Sequence, residues 1–325
     1  MKEKSMKKNR KAVSVYLVCT LLITAIAVAL RSVALIKYYN PSTGYFSEKV
    51  LINIANWLVA AVVLGAVSYI FVADKKKKYV ATYRDATTYI PSALVALALV
   101  FIAVDLVSEL MKPLSSTAVA IIATNLFAIT LAIVGAVAFV ASCLLIGRRN
   151  ATRGALQIAA ILFFAVYAAY VYFENPYPLN APCRVADISA YLSATVFILY
   201  ETRISLGRDI WNLYTAFGLI TVSTCAYSSI PTLIKYFTDG QMVSRSLAEA
   251  VLTLTLFIFA AMRLVRSLYL FEEREAKTVV MIKELEEAAR AHAHEIQNDD
   301  EVIQSTVQDG DNGNYTIELS DTAEE

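Results

Sequence analysis

Apolar residues fall in eight long blocks separated by short polar stretches. The blocks run from Ala12 to Leu35, Val50 to Val72, Ile90 to Leu110, Ala118 to Ile146, Gly154 to Phe173, Val185 to Ile204, Trp211 to Ile230, and Leu247 to Leu270. A helix needs about 20 mostly apolar residues to cross about 30 Å of hydrocarbon, and each block meets or nearly meets that length. The pattern predicts an all-α fold, a polytopic helical bundle of eight transmembrane helices within 12–270. A basic segment, 1–11, precedes the bundle. A charged helix, 271–296, and an acidic tail, 297–325, follow it.

Composition sharpens the class. The chain is 58% hydrophobic with a mean hydropathy of +0.54, whereas a soluble chain is usually closer to half apolar. Its net charge of +1 conceals a strong segregation. Lys and Arg collect in cytoplasmic loops of bilayer proteins. With the N-terminus in the cytoplasm, the inner segments hold 22 of the 29 basic residues and the outer segments hold 7. The expectation is an integral protein of the plasma membrane with both termini cytoplasmic. The first span is longer than the core of a signal peptide and lacks an A-x-A-like cleavage site, so it reads as a retained helix.

The charges that fall within or beside the spans are the first candidates for chemistry, because ions in lipid are costly unless paired. LYETRISLGRD, 199–209, carries Glu201, Arg203, Arg208 and Asp209. If the sixth span runs from Val185 to Ile204, Glu201 and Arg203 occupy its last turn, and Gly207 ends the helix. Arg208 and Asp209 then open the next span. The segment reads as a short cytoplasmic turn, with Glu201, Arg203 and Arg208 as an inner-face charge cluster in which Arg203 or Arg208 partners Glu201. Towards the outer face, Asp105 and Glu109 lie one turn apart on the third span. Arg31 ends the first span's apolar core at a similar depth, and Asp187 opens the sixth span. Arg31 is expected to pair with Asp105 or Asp187, either fixing helix packing or forming a ligand or ion site.

Two outer loops carry an aromatic-x-Asn-Pro pattern: YYNPSTGYF, 38–46, and YFENPYPLNAP, 172–182. Asn-Pro stops a helix and starts a turn. Their placement four spans apart fits a four-plus-four duplication, and equally two helices that stop in the same common way. Tyr38, Tyr39, Tyr45, Phe46, Tyr172 and Tyr177 either line an outer-face pocket or anchor at the headgroup level. The seventh span is rich in hydroxyls, from Tyr214 and Thr215 to Tyr227, Ser228 and Ser229, and the fourth carries Asn125. Helix–helix contact is the first reading of these groups, and a polar pocket the second. Pro91 and Pro231 are placed at span ends, so the helices read as continuous.

Beyond Leu264, apolar residues recur at three- and four-residue steps among Glu and Lys, as in a helix that self-associates through a short coiled coil or binds a cytoplasmic protein. Cys19, Cys143 and Cys225 fall in spans, and Cys183 stands alone in an outer loop. His292 and His294 do not form the H-E-x-x-H zinc spacing. No phosphate-binding loop, nucleophile elbow or metal-binding set is present. The sequence therefore predicts a non-enzymatic sensory or protein-interaction module, with no cofactor, no metal and no nucleic-acid partner. It would have an outer-face ligand or partner surface and a cytoplasmic helical output. The alternative is a small-solute or ion permease using Arg31, Asp105 or Glu201.

Overall fold

A computed structural model describes residues 2–72, 86–111, 118–145, 150–174, 178, 180–206, 210–241, 243 and 246–267. The chain divides into two units, Met1–Tyr269 and Leu270–Glu325, the second of which lies wholly outside the described residues. The expected charged helix, coiled coil and acidic tail therefore fall outside what is described.

Eight helices are long and apolar enough to cross a membrane. They are α1 (Lys2–Tyr38), α2 (Val50–Val72), α3 (Ala86–Leu110), α4 (Ala118–Leu144), α5 (Asn150–Glu174), α6 (Pro182–Ser205), α7 (Trp211–Asp239) and α8 (Leu247–Ser267). In hydrocarbon a backbone must satisfy its own hydrogen bonds, and a helix does so within one segment. The protein is an integral membrane protein with an all-α bundle.

Helix order follows packing. α3 lies on α4, α4 on α5, α5 on α6, α6 on α7, and α7 on both α1 and α2, which also pack on each other. α8 reaches four of these helices. Phe259 meets Phe139 of α4 and Phe197 of α6 edge to face. Tyr167 of α5 hydrogen-bonds Glu249, and Leu264 packs over Gly218 of α7. The most polar spans, α6 and α7, bury far more of their surface than the strongly apolar α1 and α2. Hydroxyl-bearing helices turn their polar atoms to one another, and lipid takes the apolar faces, as at Leu64, Phe71, Leu97 and Val104.

One end of the bundle is closed by a hairpin. β1 (Tyr39–Asn40) pairs antiparallel with β2 (Tyr45–Phe46) in the register Tyr39 to Phe46 and Asn40 to Tyr45. Asn40 builds the turn: its side-chain oxygen accepts from the Ser42 amide and hydroxyl. Gly44 closes it at φ 74°, a conformation that favours glycine. Tyr39 and Phe46 then pack with Ala34, Leu35, Ile52, Cys183 and Val243. The second Asn-Pro motif, Asn175-Pro176, lies outside the described residues, so the suggested repeat does too.

Two expectations change. α7 does not stop near Ile230 but continues through Pro231 to Asp239. Beyond the proline, Lys235 pairs with Asp239 at 2.6 Å, and Gly240 caps the helix in the left-handed conformation at φ 68°. Cys183 and Arg184 are not in a loop. Extended Ala181 precedes Pro182 at the first helical position, so α6 starts earlier and buries both residues.

Candidate functional site

Near the hairpin end, α1, α6 and α7 bring Arg31 and Asp187 into one buried neighbourhood. Arg31 is 1% exposed, and Asp187 is 5% exposed. The guanidinium carbon lies 4.3 Å from the centroid of the Tyr227 ring. Tyr227, Cys183 and Asp187 are the electrostatic neighbours of the guanidinium. None of its three nitrogens makes a hydrogen bond of good geometry. Asp187 does not close on it as an ion pair, and accepts the Ser228 hydroxyl instead. Pro231 sits one turn after Tyr227 and lacks the amide hydrogen that would bond the Tyr227 carbonyl. The polar site and the local interruption of the α7 ladder thus coincide.

Tyr227 also belongs to a pocket of about 520 Å³. The pocket is lined by α2 residues Asn56, Val59, Ala60 and Val63, by Asn180, by Pro182, Val185, Ala186 and Ser189 of α6, and by Ile220, Thr224 and Tyr227 of α7. Its size is that of a small-molecule site, and its wall is apolar with a few hydrogen-bonding groups. The Tyr227 hydroxyl donates to Asn56 Oδ1 at 2.6 Å. Thr224 shares a 2.7 Å hydrogen bond with Ser193. Both roles weighed for the seventh-span hydroxyls are present, since Ser223 accepts from Thr24 of α1 at 3.0 Å while Thr224 and Tyr227 face the pocket.

A second polar patch continues inward from Asp187. Tyr191, Ser228, Thr232, Glu249 and Thr253 surround a narrow gap with it. Glu249 is 3% exposed and accepts from Tyr167 at 2.9 Å. Sequence reasoning missed Glu249, although an acid two residues inside the last apolar block was the available signal.

At the opposite end, Glu201 is 2% exposed and meets two arginines. Its Oε1 lies 3.1 Å from Arg263 of α8 and 4.0 Å from Arg153 of α5. Of the other two residues expected in this cluster, Arg203 is exposed, and Arg208 lies outside the described residues. A helix presents neighbours in sequence to different faces, so Glu201 turns inward while Arg203, two residues on, turns out.

The other expected site residues fall elsewhere. Asp105 and Glu109 are half-buried on α3, which packs on α4. Arg31 therefore has Asp187, and not Asp105, as its acidic neighbour. Tyr39 is buried under the hairpin and Tyr45 is exposed, and neither lines the pocket. Tyr172 lies under the Arg184 guanidinium at 5.1 Å, and Tyr177 is outside the described residues. Among the described residues, no group of three His, Cys, Asp or Glu side chains is placed to hold a metal. The chain matches no known protein family, no curated protein and no solved structure.

Proposed function

We propose that this protein is a sensory or protein-interaction module of the plasma membrane, in which the pocket between α2 and α6 faces outward and receives a small, largely apolar ligand. The observation that supports this reading is the double position of Tyr227, which lines the pocket and carries Arg31 over its ring. A ligand that takes the Asn56 amide releases the Tyr227 hydroxyl, and the change passes to α7 at Pro231 and on to α8. Both termini are cytoplasmic in this reading, consistent with the distribution of Lys and Arg. The helix expected after Leu264 then carries the output by self-association or by binding a cytoplasmic protein.

Thermal stability of the full chain in nanodiscs, screened against small amphipathic compounds, tests the pocket. Stabilisation should be lost in an Ala60→Trp variant, where the indole fills the pocket. Stabilisation that survives this change would count against the site. For the output, affinity purification compares the full chain with one truncated after Phe271. A specific partner recovered only with the full chain is the expected result.

A small-solute or ion permease is the second reading. It draws on the buried acids of α6, Asp187 and Glu201, which are about 21 Å apart at the helical rise. Uptake into proteoliposomes that is abolished by Glu201→Gln, in a variant shown to remain folded, would favour it.

A further inference from the structure

We propose that the pocket selects an uncharged ligand, apolar in body, whose carbonyl-type oxygen accepts a hydrogen bond from Arg31. The inference deepens the pocket reading and rests on it.

Arg31 is almost fully buried, and its three guanidinium nitrogens have no hydrogen-bond partner of good geometry in the protein. Guanidinium carries five N–H donors in a fixed fork. Leaving such donors unsatisfied in a low-dielectric interior is costly, so the site favours an acceptor. The Cys183 thiol and the Tyr227 ring and hydroxyl give the guanidinium only looser contacts, and Asp187 is engaged by Ser228. Tyr227 joins the guanidinium to the pocket, and its hydroxyl is held by Asn56, another pocket residue. Arg31 itself does not line the pocket, so the Tyr227 ring must turn aside for a ligand oxygen to reach the guanidinium.

Charge selects among acceptors. Arg31 and Asp187 together are neutral, and no residue lining the pocket is charged. An anionic ligand would meet the Asp187 carboxylate as well as Arg31, and would bring a net charge into a medium that penalises it. A hydrocarbon would leave the guanidinium as it is. An ester, lactone, ketone or amide oxygen satisfies the donor and adds no charge.

The test uses the full chain in nanodiscs and three probes of similar size: γ-decalactone, the 4-hydroxydecanoate it opens to, and butylcyclohexane. Thermal stability is followed through a titration of each, in the wild type and in Arg31→Met. The lactone should act at a concentration at least about tenfold lower than the other two, a difference that Arg31→Met abolishes. Equal action by lactone and hydrocarbon would leave the pocket in place and overturn the role of Arg31. Tightest action by the hydroxy acid would overturn the preference for an uncharged ligand. Failure of all three to stabilise the wild type would overturn the pocket reading and this inference with it. If Arg31→Met does not fold, the wild-type ranking still decides, and Tyr227→Phe, which frees the ring from Asn56, should strengthen the lactone selectively.

Discussion

Glu201 of α6 and Arg263 of α8 meet at 3.1 Å where both side chains are almost fully buried. Arg153 adds a second guanidinium 4.0 Å from the same carboxylate oxygen. The carboxylate is thus the shared counter-charge for two arginines on two helices. Glu201→Gln leaves both without it and should cost about 3–5 kcal/mol of stability. Arg203→Gln, on the exposed side of the same turn, should stay within about 0.5 kcal/mol. Unfolding of the purified protein in detergent compares the two, and equal losses would contradict the assignment.

The acid beside Arg31 is tested the same way. Asp187→Leu removes the acceptor of Ser228 and the negative neighbour of the guanidinium, and should lower stability by about 2–4 kcal/mol. Asp105→Asn, on half-buried α3, should change it by less than about 1 kcal/mol. Thermal melts of the two variants check the contrast. The reverse order would restore Asp105 as the partner.

Glycine contacts give a prediction free of charge effects. A Cβ on Gly218 would stand 2.7 Å from Leu264 Cδ2 and 3.0 Å from Phe197 Cε2. Gly218→Ala should therefore destabilise by about 1–3 kcal/mol, even though alanine is the better helix former. A Cβ on Gly65 meets nothing within 4 Å. Gly65→Ala should be neutral or stabilise by up to about 1 kcal/mol. Paired melting curves check the signs, and Leu264→Ala should partly rescue Gly218→Ala.

Gly240 closes α7 at φ 68°, where a Cβ is strained. Gly240→Ala should cost about 1 kcal/mol, measured by the same melts, without altering ligand response. An unchanged melting temperature would indicate that α7 can end elsewhere.

The eight spans were legible because a bilayer imposes a length that composition alone reveals. The start of α2 at Val50 and of α7 at Trp211 agree with the apolar blocks. The far end of α7 was not legible. Pro231 and Lys235 read as an exit, yet a helix tolerates proline where neighbouring groups satisfy the freed carbonyl, and Lys235 is neutralised by Asp239 one turn on. Buried charge was located better than it was paired. Arg31, Asp187 and Glu201 were all visible as ions near lipid, but their partners depend on which helices touch. Arg153 and Arg263 looked like ordinary positive-inside residues. The pocket was invisible because its wall is mostly apolar and is assembled from α2, α6 and α7, the first far from the other two in the sequence, with Tyr227 the link to charge.

The most direct test of the outward-facing pocket is cysteine labelling of intact cells. Ser189 lines the pocket, while Cys143, Cys183 and Cys225 are buried, so a Ser189→Cys variant needs only exposed Cys19 replaced by alanine. A membrane-impermeant methanethiosulfonate reagent should label that cysteine from outside, and markedly more slowly once Ala60→Trp fills the pocket. Labelling that requires permeabilised cells, or a rate indifferent to Ala60→Trp, would contradict the account.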